Sequence, residues 1–339
     1  MSGDKSESKS VVLAALVANV AIGVLKFGAF LATGSAAMLA EVYHSVSDSG
    51  NQILLLVGLS RSAKAPTRTH PFGHGKAQFF YGFLVSVLLF SIAGWRSVSK
   101  GYHALTHLDT ASTTASATAL GGIVPGIAVA YGVLGGVIVI EGWSWRKAHR
   151  TLTNEIAAHS WSGYSGAFRH TSDTTTLTTF IEDSIAVTGA GVALVGITLS
   201  QVTGNPVFDA AAAFGIGVML IFGALAVAWT NKRLLIGKSL PPAEERQLVG
   251  ALAKYETVGE ITEFRTVYFG PDTVHVTACV AFVGDLDAGE VSDTVAAIKA
   301  DLGEIHPTVS SVYISPKRAE SSTDTTTDET PTERRASAV

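Results

Sequence analysis

Six long, mostly apolar stretches constrain this chain of 339 residues more than any other feature in it. They run approximately from Ser10 to Thr33, Ala37 to Leu59, Gln78 to Tyr102, Ala117 to Trp143, Leu177 to Gln201 and Pro206 to Thr230. A bilayer core takes about 20 apolar residues per helix, and its lack of water leaves only helices or closed barrels able to satisfy the backbone amides. The stretches therefore predict six transmembrane helices. Between them lie turn and linker residues: Thr33-Gly34-Ser35, the basic segment from Arg61 to Lys76, the Thr/Ser-rich stretch after His107, and Thr203-Gly204-Asn205-Pro206. Composition agrees, with 47% hydrophobic and only 15% charged residues, too apolar for an ordinary soluble protein of this size.

The charges set the orientation. Arg61, Lys64, Arg68 and Lys76 lie between spans two and three, Arg146, Lys147, Arg150 and Arg169 between four and five, and Lys232, Arg233 and Lys238 after span six. The first, third and fifth loops contain no Lys or Arg, so the positive-inside rule places both termini in the cytoplasm or its topological equivalent. The net charge of −4 averages a basic membrane-proximal half with an acidic tail, a pattern that excludes nucleic acid as a partner. The single cysteine, Cys279, excludes an intramolecular disulfide and a thiolate cage. A metal site must then use nitrogen and oxygen ligands, which points away from copper(I). Lys5 and Lys9 precede the first apolar run as in a secretory signal. The run is long enough to span and further spans follow, so a retained anchor is expected.

The segment from Glu141 to Thr178 reads as a cytoplasmic extension of span four followed by an irregular connector, with Trp143 and Trp145 at the membrane interface. Past Pro241-Pro242, a helix opening with Glu244 and Glu245 precedes two strands, Glu260 to Phe269 and Thr273 to Val283, joined by the turn Gly270-Pro271-Asp272. A helix near Gly289 to Leu302 and a strand near Val309 to Ile314 complete an α-β-β-α-β order, which predicts a small cytoplasmic α+β domain of ferredoxin or metallochaperone type. The expected organisation is a disordered N-terminus over 1–9, a transport domain over 10–232, the α+β domain over 233–316, and a disordered tail over 317–339.

The residues that carry chemistry are those a membrane should exclude. Span two holds Glu41, His44, Asp48 and Asn51, spaced by three, four and three, so all four share one side of the helix. Each ionisable group near the bilayer centre costs about 2.5 to 3.5 kcal/mol on insertion scales, and such groups mark ion pathways. A divalent cation would compensate them, because His44 and Asp48 at i and i+4 can ligate one ion side by side. Span five adds Glu182 and Asp183. Thr179 shares the face of Asp183, whereas Glu182 is rotated by about 100°. The bland alternative for both spans is a hydrogen-bond network that ties helices together.

His44-Ser-Val-Ser-Asp48 followed by Asn51-Gln52, together with His70-Pro-Phe-Gly-His74-Gly-Lys76 in the basic loop, resembles the cation diffusion facilitator family of divalent-metal transporters. Ala40-Glu41, the Glu182-Asp183 pair and Thr203-Gly204-Asn205-Pro206 are most similar to the branch represented by the human ninth zinc transporter. The resemblance implies a homodimer, a tetrahedral transport site between spans two and five, alternating access and exchange of metal for protons. By position, His44 and Asp48 match the span-two ligands and Asp183 the second acid of span five. Thr179 stands where the family has His or Asp, which leaves the fourth ligand open among Glu182, Glu41 and a water. An oxygen-richer site would admit manganese, cobalt or iron(II) as well as zinc.

The expected transport-site residues are therefore His44, Asp48, Asp183, Glu182, Thr179 and Glu41, with His70 and His74 as a second, loop-borne pair. His103, His107 and Asp109 form an outward-loop cluster, His275 and Cys279 share a strand face, and Lys26 snorkels or pairs with an interior acid. No resident cofactor is expected; the metal is cargo and protons are the counter-ion. Two other classes remain as expectations to be weighed. One is a membrane metal hydrolase with Glu182 or Glu41 as base, for which no His-Glu-x-x-His motif occurs; the other is a non-transporting scaffold or regulator. The short tails and lack of a transit peptide point to a prokaryotic cytoplasmic membrane, with an organelle membrane as the alternative.

Overall fold

The computed structural model describes residues 2–107, 118–119, 124–283 and 286–318. Asp109 and the tail from 319 onward lie outside these residues. The chain divides into two compact units, Met1–Pro241 with Val267–Val274, and Pro242–Thr266 with His275–Val339.

The first unit is helical. It contains α1 (Ser2–Thr33), α2 (Ala36–Ser62), α3 (Ala77–Val85) continued through a π-helical turn (Ser86–Phe90) into α4 (Ser91–Thr106), α5 (Gly126–Ala158), α6 (Gly163–His170), α7 (Thr174–Thr203) and α8 (Val207–Ile236). Among the described residues, five helical stretches are long and apolar enough to cross a membrane: Leu16–Thr33, Ala77–Thr106, Gly126–Ala158, Thr174–Thr203 and Val207–Ile236. The expected second span, α2, is the exception, because Glu41, His44, Asp48 and Asn51 lower its hydropathy. It is nonetheless a member of the bundle, packed against α1, α3, α4, α7 and α8.

Several boundaries differ from the sequence expectation. Helix α1 begins at Ser2, so the segment 1–9 expected to be disordered is helical from its second residue. The fourth span starts at Gly126 instead of Ala117 and continues to Ala158, with β1 (Thr118–Ala119) pairing antiparallel to β2 (Val124–Pro125) ahead of it. The connector expected to be irregular contains α6. Helix α8 continues to Ile236 and the second unit opens at Pro242, past the expected boundary at residue 233, because no breaker intervenes before Gly237, whose φ of 122° ends the helix.

Local chemistry explains the helix ends. Asp173 caps α7 by accepting from the amides of Thr175 and Thr176, and Gly204 closes it in the left-handed region. The cap of α2 is tertiary. Ser35 Oγ accepts from the Met38 amide and itself donates to Asp209 Oδ1 at 2.6 Å, while the amides of Ala36 and Ala37 donate to the Asp209 carboxylate at 2.7 and 3.4 Å. One acid on α8 thus holds the start of the helix that carries the polar stripe. Asp209→Ala is expected to cost about 1 to 3 kcal/mol, measured as a lowered melting temperature in detergent. Asp209→Asn, which keeps an acceptor, should lose less, and equal losses for the two variants would refute the cap.

Helices α4 and α8 approach closely at glycines. A Cβ on Gly101 would stand 2.5 Å from the Phe214 amide nitrogen, and one on Gly217 would stand 2.5 Å from that of Val98. Small residues at such crossings let backbones pack without side chains between them.

The second unit contains α9 (Pro242–Leu252), α10 (Ala288–Ile305), β5 (Val309–Arg318) and the larger parts of β3 (Val258–Gly270) and β4 (Thr273–Phe282), whose joined ends, Val267–Val274, group with the first unit; the elements follow the expected α-β-β-α-β order. Its sheet has the strand order β3-β4-β5, and the last strand continues past the expected Ile314 through Lys317 and Arg318. Asp287 and Glu290 form a capping box at the start of α10. Alternation along β4 buries Val274, Val276, Ala278 and Val280. The Cys279 thiol lies 3.7 Å from the Glu263 carboxylate. Burial lowers the pKa of His275.

Candidate metal centre

Four helices enclose the polar residues. Helices α1 and α7 each pack against both α2 and α5, and the ionisable stripe of α2 faces into this ring. Glu41 and His44 are 0% exposed, Asn51 is 1% exposed and Asp48 is 7% exposed. Period 3.6 explains why they coincide on one face; the packing explains why that face is interior.

Each acid has a specific partner. Lys26 of α1, itself buried, donates to Glu41 Oε2 at 2.7 Å. His44 Nε2 lies 3.0 Å from Asp48 Oδ2. Asn51 donates to Glu182 of α7. Ser144 of α5 donates to Asp183 Oδ2 at 2.7 Å, and next to it Trp145 Nε1 donates to Ser184 Oγ at 3.0 Å. What is left over is informative. His44 Nδ1, Asp48 Oδ1, Glu41 Oε1 and Asn51 Oδ1 are buried with no hydrogen-bond partner among the described residues, as is His44 Nε2, whose contact with Asp48 is within ion-pair distance but is not a hydrogen bond. Each such orphan costs about 1 to 3 kcal/mol, more for a charge, so a cluster of them marks a place built for something else to bind.

The sequence-predicted residues separate here. His44 and Asp48 are in direct contact, and two ligand atoms about 2.0 to 2.1 Å from a tetrahedral zinc lie roughly 3.3 Å apart. Their separation is within a few tenths of that bite. Asp183 and Glu182 are buried on α7 and reach the same ring, the first through Ser144 and the second through Asn51. Glu41 is committed to Lys26, which satisfies the expectation that Lys26 pairs with an interior acid. Thr179 is only partly buried, one turn from Asp183 toward the start of α7. Among the described residues, no three His, Cys, Asp or Glu side chains converge closely enough to cage an ion as they stand.

The secondary candidates lie elsewhere. The rings of His70 and His74 lie with centroids 4.4 Å apart and planes tilted by 34°; His70 is exposed and bonded to Thr69, while His74 Nδ1 is buried without a partner. His103 and His107 have centroids 5.7 Å apart on the exposed end of α4. Two residues that position the site were not singled out from sequence. Ser144 carries no charge signal, and its role depends on which face α5 turns toward α7. Asp209 sits beside an ordinary turn, and its partners are more than 170 residues away.

Apolar helices ringed around buried, unsatisfied ionisable groups define a multi-pass membrane protein with an ion-handling interior. The cation efflux transmembrane domain matches residues 12–236, and the chain belongs to that family, the cation diffusion facilitators. It is 27% identical over 286 residues to the metal tolerance protein C4 of Arabidopsis thaliana, covering 82% of this chain and 58% of that protein. It is 29% identical over 274 residues to the mitochondrial proton-coupled zinc antiporter SLC30A9 of Homo sapiens, covering 81% and 46%. A shorter likeness, 34% over 88 residues, joins it to the magnetosome protein MamM of Paramagnetospirillum magneticum, covering 26% and 28%. The chain spans about half the length of the first two relatives.

Proposed function

We propose that the protein carries a divalent metal ion, zinc first, across the membrane in exchange for protons by alternating access, and exports it from the cytoplasm. The observation that carries this reading is the His44–Asp48 pair on α2, with His44 Nδ1 and Asp48 Oδ1 buried and unpartnered inside a ring that also holds Asp183. A metal resolves the cost of those orphans and gives the two side chains a common partner. The similarity to a protein named as a zinc antiporter supports zinc and proton exchange.

Proton coupling follows from the ligands. A metal must displace the proton of an imidazole to bind, so loading releases protons and acidification favours release of the metal. His44 is thereby a shared site for both ions. The family further supports a homodimer with both termini cytoplasmic, in a cell membrane or, as for the mitochondrial relative, an organelle membrane. A variant of this reading keeps the mechanism and changes the cargo. Thr179 in place of the family's His or Asp leaves an oxygen-rich set, which suits manganese, cobalt or iron(II). A hydrolase is disfavoured, because Glu41 and Glu182, the carboxylates available as general base, are held by Lys26 and Asn51.

The test is metal uptake into proteoliposomes bearing a pH gradient, with zinc, manganese, cobalt and iron(II) compared. Gradient-dependent zinc uptake is expected, with proton movement in the opposite direction. Transport of manganese or iron(II) in preference to zinc would change the substrate. No metal movement by folded, dimeric protein would refute the carrier.

A further inference from the structure

The ring leaves one acid without an assignment. Glu141 is the only charged residue in the first 17 residues of α5, Gly126 to Gly142, an apolar stretch in which a carboxylate is costly. Its side chain is partly buried, and no described hydrogen bond holds it. The charges of Asp48, Lys26, His44 and Glu41 act on it, and its own charge acts on Glu182 and Asp183.

Helix register explains this neighbourhood. The Asn51–Glu182 bond, and the approach of Glu41 Oε1 to Gly189, where a Cβ would stand 2.6 Å away, fix α2 antiparallel to α7. The Ser144–Asp183 and Thr198–Tyr131 bonds fix α5 antiparallel to the same helix. Helices α2 and α5 therefore run parallel, and matching both through α7 brings Glu141 level with the turn from His44 to Asp48. Ser144, one turn along α5, is on the side that meets Asp183, so the face carrying Glu141 is the one turned toward the ring.

We infer that Glu141 is a ligand of the transported divalent cation, completing the set of His44, Asp48 and Asp183 from span four and filling the place Thr179 cannot. This rests on the carrier reading above. The independent sign of a ligand is the buried pair of unpartnered atoms, His44 Nδ1 and Asp48 Oδ1, at the level Glu141 reaches. Without a cation, Glu141 and Asp48 repel; a divalent ion between them turns that repulsion into attraction. The side chains do not form a cage as they stand, and rotation of Glu141, which no described hydrogen bond pins, is the movement that closes one. Three carboxylates and one imidazole make an oxygen-rich set, so the same residue sets selectivity toward harder divalent ions.

The test separates binding from transport. Zinc and manganese affinities of detergent-purified full-length protein are measured by chelator competition for wild type, Glu141→Gln and Glu141→Asp. Glu141→Gln should bind at least roughly tenfold more weakly, at or beyond what loss of a supporting residue costs, with its melting temperature unchanged. Glu141→Asp should recover part of the loss. Binding by Glu141→Gln within about twofold of wild type would overturn the assignment. Should Glu141→Gln not fold, carbodiimide labelling of wild-type protein, read by mass spectrometry, decides: zinc should protect Glu141, and equal labelling with and without zinc would overturn the inference. A wild type that binds metal but moves none refutes the carrier reading and leaves the ligand assignment to the binding data.

Discussion

Asp48→Ala and Asp183→Ala should each lower metal transport by about 100-fold or more, since residues that only support a metal ligand already cost about 10 to 100-fold when removed. The two losses have different structural content. Asp48→Ala deletes a carboxylate 3.0 Å from His44 Nε2 and leaves the imidazole buried with neither nitrogen partnered. Asp183→Ala leaves α2 untouched and frees only the Ser144 hydroxyl, which can turn to a backbone carbonyl of its own helix. Asp183→Ala protein should therefore fold as wild type does. It is the cleaner test, read as initial uptake rate in proteoliposomes at matched, folded protein content. Asp183→Asn, which keeps the hydrogen bond from Ser144 but not the charge, should be nearly as inactive. Uptake by either Asp183 variant within about threefold of wild type would exclude Asp183 from the metal.

Lys26→Met should be the most destabilising single change in the bundle. Lys26 and Glu41 are 1% and 0% exposed and meet at 2.7 Å. Removing one partner of a buried pair leaves an uncompensated charge and costs about 3 to 5 kcal/mol, whereas replacing both with apolar residues is often neutral or better. The expected result is a melting temperature lower by on the order of 10 °C, or no folded protein recovered, for Lys26→Met. Recovery to near wild type is expected for Lys26→Met combined with Glu41→Leu. The double variant also tests function. If Glu41 serves the structure through Lys26 and does not bind metal, the double variant should still transport. A double variant as unstable as Lys26→Met alone would refute the ion pair as the cause, and a stable double variant without transport would return Glu41 to the metal site.

The polar stripe was legible because two constraints act on the same residues. Ionisable groups are rare in apolar helices, and a spacing of three, four and three can only fall on one face of an α-helix. The sequence is equally direct about the apolar spans and about the strand and helix order of the second unit, because hydrophobic periodicity and turn residues are local signals. Helix ends were less legible. The start of α5 at Gly126 follows a Thr/Ser-rich approach with no capping signature, and α1 gains its first turns from residues whose composition reads as a polar tail.

Pairing between helices was legible only in outline, as the need of Lys26 for an interior acid. Glu41 could have served the metal, a proton or Lys26, and the choice was made by the packing of α1 on α2 across the turn at Gly34. Glu182 and Asp183 are adjacent in sequence yet point to different partners, Asn51 and Ser144, because successive residues on a helix diverge by about 100° and α7 is gripped by α2 on one side and α5 on the other. Sequence by itself determined which side chains a membrane cannot leave alone, since that depends only on their chemistry and period. Tertiary structure decided which of them neutralise one another and which remain unsatisfied, because the partners lie on helices up to 131 residues apart and their meeting depends on rotation and register that no local signal encodes.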